Sequence, residues 1–170
     1  MLYDISSINV ANSPAYLALH ANASEKDKTL LASAQYFSRR VYKKIRVYHH
    51  PEGELDAPTK FLLFVGLEVT AEMEDEFNKW YHEEHMALVM KVPGWRKGTR
   101  YFLDSEVGRG DGAGKLVCRY LAVHEFDNDK YMSTPEFKEA TSTPWREEVM
   151  KGITGKEMRT FERVKVFKKP

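Results

Sequence analysis

Residues 61–69, FLLFVGLEV, are apolar and β-forming with little polar alternation, which reads as a strand covered on both faces. Thr70 follows as a helix cap, and Glu72, Glu74, Asp75 and Glu76 place acids at the positive end of the helix dipole. Pro93-Gly94 stops that helix. A second strand is expected over 95–103, then a glycine-rich turn, DSEVGRGDGAGK, and a third strand over 116–126. Thr134-Pro135 and Thr143-Pro144 each pair a capping threonine with a proline in the first helical turn. TFERVKVF, 160–167, reads as the last strand. The order β-α-β-β-α-β predicts an α+β fold, a ferredoxin-like unit over residues 61–170.

The first fifty residues echo the second half of that order. Ser13-Pro14-Ala15-Tyr16 parallels Thr134-Pro135-Glu136-Phe137, and SRRVYKKIRVY (38–48) parallels MRTFERVKVF (158–167). Leu2-Tyr3-Asp4-Ile5 stands where Val123-His124-Glu125-Phe126 would. The expectation is an incomplete first repeat over 1–50, strand-helix-strand, with 51–60 as linker. Half a unit exposes strand edges and an apolar face, so a homodimer or an unusual intrachain sheet is expected to cover them.

Composition narrows the partners. The chain has 170 residues, a net charge of +1 and one cysteine, Cys118. Near-neutral charge gives no footprint for nucleic acid or an anionic membrane. One cysteine excludes an internal disulfide and cysteine-only metal sites. With no signal peptide or long apolar run, the default location is cytoplasmic.

The candidate chemistry lies in WYHEEH, 80–85. On a 100° wheel, Met73, Phe77, Trp80, Tyr81, Leu88 and Val92 form one apolar stripe. Glu84 falls within it, His85 at its edge and His82 outside it. A carboxylate on a buried face must be paired or neutralised, so Glu84 either pairs with Arg100 on the next strand or orients His85. The two histidines stand three apart, and H-E-x-x-H needs four, so no metal site is expected. GRGDGAG lies between two strands, where a phosphate loop would need a following helix.

The run EFNKWYHEEHMALVMKVPGWRKGTRY (76–101) resembles the EthD-like branch of the dimeric α+β barrel superfamily. Trp80, Tyr81, Glu84, His85, Val92-Pro93-Gly94-Trp95 and Arg100-Tyr101 match that pattern in order. YLAVHEF, STPEF and TPW fit as well, and the N-terminal segment resembles the end of a first copy in duplicated fungal-type members. His82 stands where relatives usually carry an acid. The resemblance implies sheets closing around a cavity, in a superfamily that includes cyclases, dehydratases, isomerases and cofactor-free monooxygenases.

Two readings of function stay open. One is an enzyme without metal or other cofactor, acting on a small apolar carbonyl or phenolic molecule by proton transfer, as a cyclase, dehydratase or isomerase; cofactor-free oxygenation is a variant. His85 is then the acid or base, Glu84 its orienting group, and Tyr101 or His124 the donor to a developing oxyanion. Trp80, Tyr81, Trp95 and Arg100 would bind substrate. The other reading is a non-catalytic small-molecule-binding or assembly module.

Overall fold

The computed structural model describes residues 3–51, 59–115 and 117–165. Its helices are α1 (Pro14–Ala21), α2 (Glu25–Ser33), α3 (Glu74–Trp80), α4 (Met86–Val89), α5 (Pro135–Ala140) and α6 (Pro144–Met150). Its strands are β1 (Tyr36–His49), β2 (Phe61–Val69), β3 (Trp95–Gly110), β4 (Tyr120–Phe126) and β5 (Ile153–Glu162). The sheet order is β1-β3-β4-β2-β5. The last four strands alone give the ferredoxin-like order, and β1 is a fifth strand at the β3 edge.

The chain folds as two compact units, Met1–Lys43 with Phe102–Val117, and Lys44–Tyr101 with Cys118–Pro170. In the first, Ser24 caps α2 by accepting the Asp27 N–H, and Asp111 N–H donates to Gln35 O at 2.7 Å. The second holds the ferredoxin-like core. There β2 runs antiparallel to both β4 and β5. Leu63 is in register with His124 and Thr160, and Val65 with Ala122 and Met158. Strand alternation puts these residues on one face. Helices cover that face, burying Phe77, Trp80, Met86, Trp95, Phe126 and Val149 almost completely.

Two of the three threonine caps form as their sequence predicts, while Thr70 makes no side-chain cap bond and is followed by a 3₁₀ turn, Ala71–Met73, before α3. Thr134 Oγ1 accepts the Phe137 N–H and Thr143 Oγ1 accepts the Arg146 N–H, each at 3.2 Å. Gly94, at φ +82, makes the turn after α4. A Cβ there would lie 2.4 Å from Asn128 Nδ2, so both backbone and space call for glycine.

Several element boundaries differ from expectation. Tyr3–Ser7 is not a strand; the first element is a 3₁₀ turn, Ile8–Asn12, capped by Ser7 accepting the Asn9 N–H. A serine that bonds its own neighbouring backbone competes with a ladder. The N-terminal segment is therefore helix-helix-strand among the described residues, and most of the 51–60 linker lies outside them. The glycine-rich turn shrinks to 111–114, because β3 continues to Gly110 alongside the long β1. β4 starts at Tyr120. The last strand is Ile153–Glu162 instead of 160–167, of which 166 and 167 lie outside the described residues. As an edge strand it carries Lys156, Glu157, Arg159 and Glu162, the polar protection edges require, and therefore lacks an apolar run. No helix among the described residues is long and apolar enough to cross a membrane.

Candidate functional site

The single helix expected before Pro93 is not uniform. Between α3 and α4, Tyr81–His85 forms a π-turn, in which Met86 N–H reaches Tyr81 O, an i to i+5 bond. The wider turn advances each residue less around the axis, and such turns recur at functional sites. It carries His85 from the edge of the apolar stripe to the side of Trp80 and Tyr81. The imidazole stacks on Trp80 with ring centroids 4.5 Å apart and meets Tyr81 edge-on at 4.8 Å. His82 stays exposed, its ring 6.2 Å from that of Tyr48.

Glu84 does not pair with Arg100. It is half-buried and accepts the Trp80 indole N–H at 3.1 Å and the Thr143 hydroxyl at 2.5 Å. One carboxylate thus ties the π-turn to the cap of α6 and fixes the ring on which His85 lies. Arg100 is buried elsewhere, its guanidinium 4.0 Å from the Tyr81 ring centroid and donating to Asn78 Oδ1 at 2.9 Å. Burial raises the pKa of the Tyr48 hydroxyl, against the pull of the neighbouring Arg100 guanidinium, yet the geometry falls short of a hydrogen bond. Asn78 continues the network by donating to Tyr120 Oη, whose hydroxyl donates to Glu74.

A cavity of about 80 Å³ lies between the helices and the β4-β2-β5 face. Trp80, Tyr81, His85 and His124 line it, with apolar walls that include Leu63, Phe126 and Phe137. Of the eight residues singled out from sequence, these four meet at the cavity; Glu84 and Trp95 support it from behind, and Arg100 touches it only through Tyr81. Tyr101 does not line it, since strand alternation turns Tyr101 away from the face Arg100 occupies. Arg146, Lys156, Met150 and Met158 line it and were not singled out. The Thr143-Pro144 cap could have flagged the α6 pair. Placing the last strand at 160–167 hid the other two.

The protons are placed by their partners. A carbonyl only accepts, so His85 Nδ1, 3.1 Å from Ala140 O, carries hydrogen. In the neutral ring Nε2 is then a bare lone pair, with no partner among the described residues. Trp95 Nε1 only donates, so His124 Nδ1, at 3.2 Å, is the acceptor and its Nε2 carries the hydrogen. That N–H points to Tyr81 Oη over a long 3.4 Å contact, leaving the Tyr81 hydroxyl hydrogen for another acceptor.

Burial sets the charge states. It pulls His85 down to about 3, helped by neighbouring His124, Arg146 and Arg100 and opposed by the Ala140 bond. His85 keeps some accessible surface, but that surface faces the cavity, so protein surrounds the ring. Burial brings His124 to about 4 and pushes the Tyr81 phenol up, against the pull of Arg100. At neutral pH the cavity therefore presents a neutral imidazole base and a neutral phenol donor. Among the described residues no three His, Cys, Asp or Glu side chains group as a metal site.

The architecture is that of the dimeric α+β barrel proteins, a ferredoxin-like antiparallel sheet backed by helices on one face. An anthrone oxidase-like protein superposes with a TM-score of 0.58 at 15% identity, over 88% of this chain and 67% of its own. Two further structures match less closely. A candidate monooxygenase of Fusobacterium nucleatum gives 0.48 at 12% identity, over 92% of this chain and 63% of its own. An EthD family protein of Bacillus halodurans gives 0.36 at 17% identity, over 61% and 99%. No family model matches the chain, and no curated protein matches it.

The two depressed histidines make stability pH-dependent. Above about pH 6.5 both are neutral folded and unfolded, and contribute nothing. Below it the unfolded chain takes up protons that the folded chain refuses until about pH 4 and about pH 3, so stability falls as pH falls. Chemical denaturation between pH 7 and 4 should show this loss. The double variant His85→Gln, His124→Gln, starting from a lower baseline, should show a flatter slope; an unchanged slope would place the responsible groups elsewhere.

Proposed function

We propose that the chain is an EthD-like member of the dimeric α+β barrel superfamily and an enzyme that moves a proton on a small apolar carbonyl or phenolic compound without a metal. The observation that carries this is the pairing of an open His85 Nε2 with a free Tyr81 hydroxyl on one apolar cavity. His85 removes a proton from carbon beside a carbonyl, or from a phenol, and returns it at the next position or to a leaving hydroxyl. Tyr81 donates to the oxygen on which negative charge develops. This exchanges two roles expected from sequence: His124, whose N–H is directed at Tyr81, positions that hydroxyl instead of contacting substrate. Trp95 holds the His124 tautomer, and Glu84 holds Trp80 beneath His85. Cyclisation, dehydration and isomerisation share this proton transfer, and deprotonation of a phenol also begins a cofactor-free oxygenation.

The cavity's size supports a second reading, a binding or assembly module. At about 80 Å³ it is well below the roughly 300–1,000 Å³ of most small-molecule sites. Under the enzyme reading only the reacting end of a substrate enters, and the flexible Met150 and Met158 side chains adapt around the rest. Kinetics separate the two. With a substrate from a screen of phenolic and β-keto compounds, His85→Gln should lower kcat by about 10²–10⁴. Tyr81→Phe should cost about 10²–10³, and the exposed His82→Ala almost nothing. Because His85 stays neutral far into acid, kcat/KM should hold level from pH 7 to 5. An inflection near 6.5, or full activity in His85→Gln, would refute the assignment.

A homodimer belongs to the same reading. The sheet face away from the helices carries Leu62, Phe64 and Phe161, with the two phenyl rings packed edge-on at 4.8 Å and Phe161 43% exposed. Sedimentation equilibrium at micromolar concentration should give twice the chain mass, and Phe161→Glu should shift it towards monomer. A wild-type monomer would contradict this.

A further inference from the structure

The cavity wall contains two cations and no acid. Arg146 from α6 and Lys156 from β5 both line it, while none of the lining residues is Asp or Glu. Arg146 is half-buried and Lys156 exposed. Among the described residues neither side chain makes an ion pair or hydrogen bond; Arg146 is tied only through its backbone N–H to Thr143. Acids are close by in sequence, Glu147 and Glu148 beside Arg146 and Glu157 beside Lys156, yet none answers either cation. A half-buried guanidinium without a carboxylate gives up hydration for no partner, a cost that a bound anion would reverse.

Placement along the cavity gives the ligand a polarity. His85 and His124 are enclosed at the inner end, whereas Lys156 and Met158, which is 51% exposed, mark the end open to solvent. Apolar walls that include Phe137, Val89 and Met150 complete the space. The occupant that matches this gradient has an uncharged carbonyl or phenol end, an apolar middle and an anionic outer end.

Resting on the proton-transfer reading of the same cavity, we infer that the substrate is a carboxylic acid, held by its carboxylate on Arg146, with Lys156 at the open end as a second cation. The planar guanidinium can take a carboxylate through two parallel hydrogen bonds, whereas lysine offers a point charge on a mobile stem. Arg146 is therefore the specificity-determining residue. Lys156, in water, contributes a weaker and salt-sensitive part.

The test uses two probes of nearly the same shape, phenylacetate and phenylacetamide. Binding to the whole chain is followed through the NMR signal of the Trp80 indole N–H, which reports this cavity. Phenylacetate should bind about tenfold more tightly than the amide. Arg146→Gln should abolish that preference, Arg146→Lys should restore part of it, and Lys156→Gln should reduce it by a smaller factor. Added salt should weaken the acid and leave the amide unchanged. Equal binding of the two probes, a preference that survives Arg146→Gln, or no Trp80 shift with either probe at millimolar concentration would overturn the proposal. His85→Gln separates it from the catalytic reading. That variant should still prefer the acid, so loss of turnover with retained preference leaves the carboxylate site standing, and retained turnover refutes proton transfer by His85 alone.

Discussion

The site depends on the wide turn over Tyr81–His85. In an uninterrupted α-helix the apolar stripe would carry Glu84 towards the core and leave His85 at its margin. Letting Met86 bond back to Tyr81 changes the phase, so Trp80, Tyr81 and His85 share one face while Glu84 moves to where Thr143 can reach it. A π-turn is intrinsically less favourable than the α-turns around it. Here the surrounding bonds hold it: the indole and hydroxyl on Glu84, the Ala140 carbonyl on His85, and the packing of nearly fully buried Trp80 and Met86.

From that turn the electrostatics follow in order. The Trp95 indole can only donate, so it dictates the His124 tautomer, and His124 in turn directs its N–H to Tyr81. Arg100, stacked on the Tyr81 ring and hydrogen-bonded to Asn78, places positive charge behind the phenol without entering the cavity. Burial keeps both imidazoles neutral. The result is a base and a hydrogen-bond donor on an apolar wall, with two uncompensated cations in the same lining. Proton transfer needs the first pair, and recognition of an acid needs the second.

Much of this was legible in the sequence, for identifiable reasons. FLLFVGLEV is apolar apart from Glu68 because β2 lies inside the sheet between β4 and β5, and Thr134 and Thr143 cap helices as their prolines announce. Trp80, Tyr81 and His85, singled out on one helix, and His124 on a strand line the same cavity. What failed was phase and edges. A fixed 100° wheel cannot register a π-turn, so it offers Glu84 a pair with Arg100 or a place beside His85, whereas its partners are Trp80 and Thr143. An edge strand rich in Lys, Glu and Arg carries a weak strand signal, so the last strand is expected seven residues too late and Lys156 falls outside it. Tyr101 was counted with Arg100 although adjacent strand residues face opposite ways.

His85 offers an unprotonated Nε2 to the cavity while His124 is locked in the other tautomer. Nitrogen-15 chemical shifts of the histidine rings, followed from pH 7 to 5, test this directly. His85 should remain neutral with its hydrogen on Nδ1, and His124 neutral with its hydrogen on Nε2, throughout that range. A His85 ring that becomes doubly protonated near pH 6, or that carries its hydrogen on Nε2, would contradict it.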